Sequence, residues 1–425
     1  MPRYLLAIPV TLIAMAGWAA LCFIAVDGGL FRTPLTQSAD PAAFARAATQ
    51  KIEEEARGNL VFALIEEGDV VARHSTSAGE PVDGESLFQV ASLSKWVSAW
   101  GVMALAEDGL IDLDAPASTY LTRWELPPSP YDHDGVTVRR LLSHMAGLGD
   151  GLGYDGFPEG EPVQSLEDSL TQAKDASSNA SGAVRVVEEP GSGWSYSGGG
   201  YTLLQLLIEE ISGMSFDDYM RTRIFRPLGM TDTGYVLDEA ERTRLAENYD
   251  AQGRLEPLNR YTSLAATSLY TTANDMARFI EAQGPQAAPP GRGVLSPETL
   301  AAMRVPHASQ MGADIWGLGT MLYAANNRGD FIIGHDGNNE PAINTAVRLD
   351  PDTGDGIVVL ETGNSLLATD LAGDWVFWKT GNVDFLDFSV ALPGMLRAIL
   401  IGGVVILLLG ILLGWELRRK DRRRG

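Results

Sequence analysis

A serine followed three residues later by a lysine, Ser92-Leu93-Ser94-Lys95, is the stretch with the most chemistry in it. It lies where Phe88-Gln89-Val90-Ala91 gives way to an apolar segment, Trp96 to Leu105, that reads as a helix. With Ser92 in the first helical turn and Lys95 one turn on, the two side chains share a helix face. A serine hydroxyl is a nucleophile only when a base takes its proton, and a buried lysine with a depressed pKa can be that base. The amides and dipole of a helix N-terminus favour a developing alkoxide. A short motif of this kind also fits an ordinary helix start with an N-cap serine and a solvated lysine. The chain holds five lysines (Lys51, Lys95, Lys174, Lys379 and Lys420), and no other has a serine three residues before it.

The elements needed to hold such a pair are visible along the chain. Ala42–Ala56 reads as a helix, and Leu60–Glu66 with Val70–His74 as a hairpin about Glu67-Gly68-Asp69. Val138–Met145 reads as a short helix closed by the glycine-rich stretch 147–153, and Tyr201–Ile211 as a helix stopped by Gly213. Residues 151–190 read as a long loop, with a helix near Val163–Ala173 and acidic side chains in solvent. The later part is rich in strands: Gly317–Tyr323, Asp330–Gly334, Asn344–Leu349 and Gly356–Glu361, followed by a helix over Ser365–Trp378. Strands near both ends and a helical middle predict an α+β domain whose antiparallel sheet joins first and last segments.

Composition narrows the function. The chain has 425 residues, is 45% hydrophobic and carries a formal charge of -23, which argues against nucleic acid as a partner. Cys22 is the only cysteine and the five histidines show no zinc-binding spacing, so neither a disulfide, a metal site nor a cofactor is implied. Nothing in the sequence sets an oligomeric state.

Both ends are apolar. Tyr4–Val26 is free of charge and long enough to cross a bilayer. A cleaved signal peptide, or a lipoprotein signal through Cys22, would share that character. The length of the apolar run and the lack of an A-x-A site favour an uncleaved anchor over residues 1–30. The second span is Ala398–Trp415, within a terminal region 390–425 that ends in a basic tail from Glu416. The positive-inside rule places that tail and Arg3 in the cytoplasm. Membrane lipid would then contact two spans, with the intervening domain, residues 40–385, outside the cytoplasm.

Two further motifs complete the pattern. Gly191-Ser-Gly-Trp-Ser-Tyr-Ser-Gly-Gly-Gly-Tyr201 puts Tyr196 in a glycine-crowded turn before a helix, and Gly334-His-Asp-Gly-Asn338 follows an apolar strand. In the latter, Gly337 would admit a substrate backbone. With these residues the chain, over residues 40–380, resembles the penicillin-binding serine hydrolases. The branch is that of class C β-lactamases, D,D-carboxypeptidases and their esterase and D-amino-acid peptidase relatives. Ser92 and Lys95 match its first motif. Tyr196-Ser197-Gly198 stands where that family has Y-x-N, and His335-Asp336-Gly337 where it has K-T-G or H-x-G. Leu141–Leu148 and Pro227–Met230 look like two further family landmarks.

The resemblance implies a β-lactamase/transpeptidase-like fold and acyl transfer to Ser92, with Lys95 and Tyr196 moving the proton. It also implies an oxyanion site between the amides of Ser92 and Asn338, and His335 touching substrate. The substrate would be a small molecule or peptide with an amide or ester bond, such as a cell-wall-derived D-amino-acid peptide. A non-catalytic protein that binds cell-wall peptides or β-lactams is the alternative, against which the intact Ser, Lys and Tyr set argues. Gly198 in place of asparagine and His335 in place of a permanent cation put β-lactam hydrolysis in doubt. Two literal matches are set aside: Lys379-Thr380-Gly381 has no strand before it, and Ser177-Ser178-Asn179 lies in a low-complexity loop. His144 reads as a structural residue bonding the glycine loop that follows it. Packing is the simpler reading of Trp194 and Tyr201.

Overall fold

Leu60-Val-Phe-Ala-Leu-Ile-Glu66 is apolar at nearly every position, and a strand of that kind needs cover on both faces. In the computed structural model, which describes residues 3–150, 153–178, 180–340 and 342–423, it is the second strand of an eight-stranded sheet. Parts of four expectations lie outside the described residues: Met1 and Pro2 of the anchor, Gly151 and Leu152 of the glycine-rich stretch, Asn179 of the S-x-N match, and Arg424 and Gly425 of the tail.

The strands are β1 (Leu60–Glu66), β2 (Asp69–Thr76), β3 (Ala308–Gln310), β4 (Ala313–Trp316), β5 (Met321–Ala325), β6 (Phe331–Asn339), β7 (Ile343–Asp350) and β8 (Asp355–Thr362). Their spatial order is β2-β1-β8-β7-β6-β5-β4-β3, and the described pairings are antiparallel. Val61 opposite Leu360 is where the first and last segments join, as the sequence predicts. The two strands it does not predict, β3 and β4, are three and four residues long, too short for alternation or an apolar run to mark them.

The helices that matter for the site are α1 (Pro41–Glu55), α2 (Ser94–Glu107), α3 (Val138–Leu142), α4 (Gly198–Ser212), α5 (Ala273–Glu281) and α6 (Leu367–Thr380). In α1, Asp40 caps the amide of Ala42 at 3.0 Å, Pro41 opens the first turn, and Phe44, Ala48 and Ile52 form one buried stripe. In α2 every residue from Ser94 to Leu105 is buried, which makes it the central helix of the core. Its Trp96 and Trp100 pack against Phe279 of α5, with ring centroids 4.9 and 5.1 Å apart. One face of the sheet, through Val61, Ala63, Val347 and Val358, belongs to this core.

One local expectation changes and two are sharpened. Ser92 sits in a 3-10 turn, Ala91–Leu93, and the α-helix proper starts at Ser94. The strand read up to Gly334 continues, so His335 and Gly337 lie inside β6. Lys379 and Thr380 are the last residues of α6, with no strand before them.

Apart from the end of α6, these elements belong to one compact unit, Leu35–Trp375. A second unit comprises the residues up to Pro34 and those from Val376 onward, and holds two helices, Ala7–Asp27 and Phe385–Arg422. Both are long and apolar enough to span a membrane, a test that a signal sequence also passes for the first. They pack closely because glycine faces bulk: a Cβ on Gly402 would fall 2.1 Å from the Trp18 indole nitrogen, and one on Gly410 would fall 2.0 Å from Thr11 Oγ1. The second helix runs well beyond Ala398–Trp415. Asp384 caps it and its charged ends keep helical hydrogen bonds that hydropathy does not register.

Candidate active site

The turn that carries Ser92 is held from three directions. The Val90 amide donates to the Leu269 carbonyl at 3.0 Å, and Thr345 Oγ1 on β7 donates to the Val90 carbonyl at 3.0 Å. Ser94 Oγ donates to the Ala91 carbonyl and accepts from the Leu269 amide at 2.9 Å. Ala91 adopts a φ of 47°, a conformation that costs a non-glycine residue on the order of 1 kcal/mol or more and persists only where contacts fix it. The second serine of the motif is therefore the structural one, and Ser92 is the half-buried hydroxyl that Lys95 reaches.

Lys95 is 2% exposed. Its Nζ donates to Ser92 Oγ at 3.1 Å and to the Ala266 carbonyl at 2.7 Å. Burial pulls its pKa down to about 7, against the opposing pull of Asp150. A lysine in that state carries a lone pair through much of the neutral range. Tyr196 completes the group: its ring centroid lies 4.8 Å from Lys95 Nζ. Burial pushes its phenol up, and a hydrogen bond with Ser92 works the other way.

The Tyr196 loop is braced by His144, which bonds that loop and not the glycine stretch that follows it. The His144 carbonyl accepts from the Ser195 amide at 2.9 Å, and its Nδ1 accepts from the Ser197 amide at 3.1 Å. Its ring lies 4.4 Å from that of Tyr196. Burial, Lys95 and His335 hold its pKa well below the ordinary value, so it is a neutral structural imidazole. Tyr201 is fully buried and donates to the Leu142 carbonyl at 3.1 Å, as a packing residue would.

Strand β6 forms the opposite wall. β5 pairs with it only from Phe331 to Gly334, so from His335 to Asn339 that edge has no sheet neighbour among the described residues. His335 is 2% exposed, and burial, with Lys95 next, brings its pKa down to about 3. Its Nδ1 donates to the Asp336 carbonyl at 2.6 Å, because a carbonyl can only accept. Its single N–H is thus already used, and the remaining Nε2 is an acceptor without a partner among the described residues. Asp336 points to the other face of the sheet, where Tyr323, Arg348 and Thr369 bond its carboxylate.

Gly337 is glycine for a different reason than substrate access. A Cβ there would lie 1.9 Å from the Val90 carbonyl oxygen and 2.5 Å from Thr345 Oγ1, so the strand is pressed against the turn that carries Ser92. Asn338 is exposed at the end of this wall, and its Nδ2 donates to the Ser365 carbonyl at 2.7 Å.

Two residues escape the sequence reading. Asp150 is 5% exposed and bonds the start of α4; Asp175, in the segment expected to be solvated, is buried, and burial raises its carboxyl to about 6. Neither is marked by any spacing. Gly-Leu-Gly-Asp150 reads as an ordinary loop until the fold brings it to Ser197.

Known proteins match this arrangement. The family described as Beta-lactamase matches residues 44–376. The chain belongs to the β-lactamase family. Among the relatives of this family member, Penicillin-binding protein 4* of Bacillus subtilis (strain 168) is 35% identical over 190 residues, 43% of this chain and 39% of the relative. Esterase EstB of Burkholderia gladioli is 29% identical over 338 residues, 66% of this chain and 82% of the esterase. The chain thus spans well under half of the first relative and most of the second. The octameric penicillin-binding protein homologue from Pyrococcus abyssi shares the fold with a TM-score of 0.65 at 24% identity, over 83% of this chain and 77% of that one. D-amino acid amidase from Ochrobactrum anthropi SV3 shares it with a TM-score of 0.59 at 23% identity, over 85% and 98%. The β-lactamase/transpeptidase-like fold expected from the motifs is the fold of the family.

Proposed function

We propose that this family member is a membrane-anchored serine hydrolase that cleaves an amide or ester through an acyl-enzyme on Ser92. The observation that carries the reading is the 3.1 Å contact between Ser92 Oγ and a buried Lys95 whose pKa lies at about 7. Ser92 Oγ attacks the substrate carbonyl carbon and passes its proton to the neutral Lys95 amine. The tetrahedral oxyanion rests between the amides of Ser92 and Asn338. Lys95 and Tyr196 return the proton to the departing amine or alcohol as the bond to it breaks. Water then attacks the ester on Ser92 by the same route in reverse and frees the acid.

His335 supplies no fixed charge to a substrate carboxylate, since it is neutral and its N–H is committed to Asp336. Uncharged esters and D-amino-acid amides are therefore better substrates than penicillins. The likeness to an esterase supports this side of the reading. The two terminal apolar helices support an anchor, with the Leu35–Trp375 unit outside the cytoplasm. Intact-protein mass spectrometry after treatment with a fluorophosphonate tests the chemistry: one adduct, lost in Ser92→Ala, is expected. An unmodified parent protein would overturn the reading and favour a binding protein.

A further inference from the structure

Gly198, Gly199 and Gly200 open α4, and a run of three glycines is a poor start for a helix on propensity alone. The neighbours explain two of them. A Cβ on Gly198 would lie 2.6 Å from Cε2 of Tyr154, so that ring fills the space beside the position. A Cβ on Gly199 would lie 2.4 Å from Val184 Cγ2 and 2.9 Å from the carboxyl carbon of Asp150. The bare backbone admits a carboxylate from a distant loop to the first turn of the helix.

That carboxylate is fully engaged. Asp150 Oδ2 accepts from the Gly199 amide at 2.7 Å, and Oδ1 accepts from the Ser197 hydroxyl. Ser197 Oγ in turn accepts from the Gly200 amide at 2.8 Å as the N-cap of α4. The residue next to Tyr196 is therefore clamped between Asp150 and the helix. Asp150 is also the carboxylate whose field reaches Lys95 and opposes the effect of burial there.

We propose that Asp150 is a positioning residue of the acyl-transfer reaction, fixing the Tyr196 loop through Ser197 and Gly199 and holding a negative charge towards Lys95. This rests on the reading of Ser92, Lys95 and Tyr196 as the catalytic group. It assigns to a loop carboxylate the orienting task for which Gly198 has no side chain. Burial raises the Asp150 carboxyl above its ordinary value, while the two donors and the N-terminus of a 15-residue helix pull the other way, towards the ionised form. The other titratable groups facing the pair stay uncharged between pH 5 and 9. Burial raises Tyr154, Tyr196 and Tyr201, and it lowers His144 and His335. Asp150 itself is raised, and Asp175, whose field reaches Tyr154, lies at about 6, so the shift of the acid limb between parent and Asp150→Asn, and not the limb alone, reports the field on Lys95.

The experiment compares full-length parent, Asp150→Asn and Ser197→Ala in detergent, reading kcat and KM for an uncharged chromogenic ester from pH 5 to 9. Asparagine keeps the shape and an acceptor for Gly199 but removes the charge. Lys95 then loses its proton at lower pH, so the acid limb of kcat/KM should move down by about one unit. The kcat should fall by roughly 10- to 100-fold with KM little changed, since the loss is of alignment. Ser197→Ala keeps the charge, so it should lower kcat without moving the limb. An Asp150→Asn protein with the parent's limb overturns the electrostatic role, whatever its kcat. Should Asp150→Asn fail to fold, a Ser197→Ala protein with parental kcat overturns the clamp. A parent that forms no adduct on Ser92 overturns the underlying catalytic reading instead, and mass spectrometry tells the two failures apart.

Discussion

The sharpest perturbation is pH, because Lys95 is buried beside Ser92 and, in the proposed mechanism, its protonation state decides whether Ser92 can react. With a pKa of about 7, roughly a tenth of the amine is neutral at pH 6 and roughly nine tenths at pH 8. The acylation rate should therefore rise about tenfold over those two units and level off by about pH 8.5. An ordinary lysine at 10.5 would behave differently. Its neutral fraction would climb about 100-fold over the same interval, stay below about 1% at pH 8, and still be rising past about pH 10. The displacement of some three and a half units corresponds to about 5 kcal/mol of burial cost to the ammonium. The sign for stability follows. The unfolded chain holds this proton between pH 7 and 10.5 and the folded chain does not, so this residue's contribution to stability rises with pH across that window and its full cost is felt below it. The assay is stopped-flow acylation by an uncharged ester from pH 5 to 10. A profile still rising at pH 9.5 would refute the depressed lysine and the proton route built on it.

Ser92→Ala should abolish fluorophosphonate labelling, whereas Ser94→Ala should keep it and lose about 1–3 kcal/mol of stability with its bonds to Ala91 and Leu269, read by denaturant melts. Loss of labelling in Ser94→Ala alone, in folded protein, would mean that the register is wrong. His335→Lys should raise kcat/KM for a penicillin relative to an uncharged ester by about 10-fold or more, by restoring a charged donor. Efficient penicillin turnover by the parent at high pH would count against the account of His335. Gly337→Ala should cost about 3 kcal/mol or more, since its Cβ would meet the Val90 carbonyl at 1.9 Å; an unchanged melting temperature would contradict that contact. A reporter active only in the cytoplasm, inserted near Pro289, should be silent, and activity there would sink the proposed topology.

The sequence alone determined the features that depend on neighbours along the chain. Ser92 and Lys95 stand three apart, and a helical turn brings side chains at that spacing together wherever the helix lies. The apolar runs of β1 and β8 announce buried strands, and Gly213 marks a helix end, because these are local balances of hydrogen bonding and burial. The two terminal apolar helices are legible for the same reason, since their length and lack of charge are read along the chain. Tertiary structure decided what each motif residue does. Ser92 lies in a 3-10 turn rather than an α-helix because Thr345 and Gly337, some 250 residues away, press on Val90. Gly337 serves the scaffold, His335 spends its N–H on its own strand, and Asp150 reaches the start of α4 only because Gly199 leaves room. Pairing, burial and field at the site depend on which distant groups arrive beside a residue, and spacing along the chain carries no record of that.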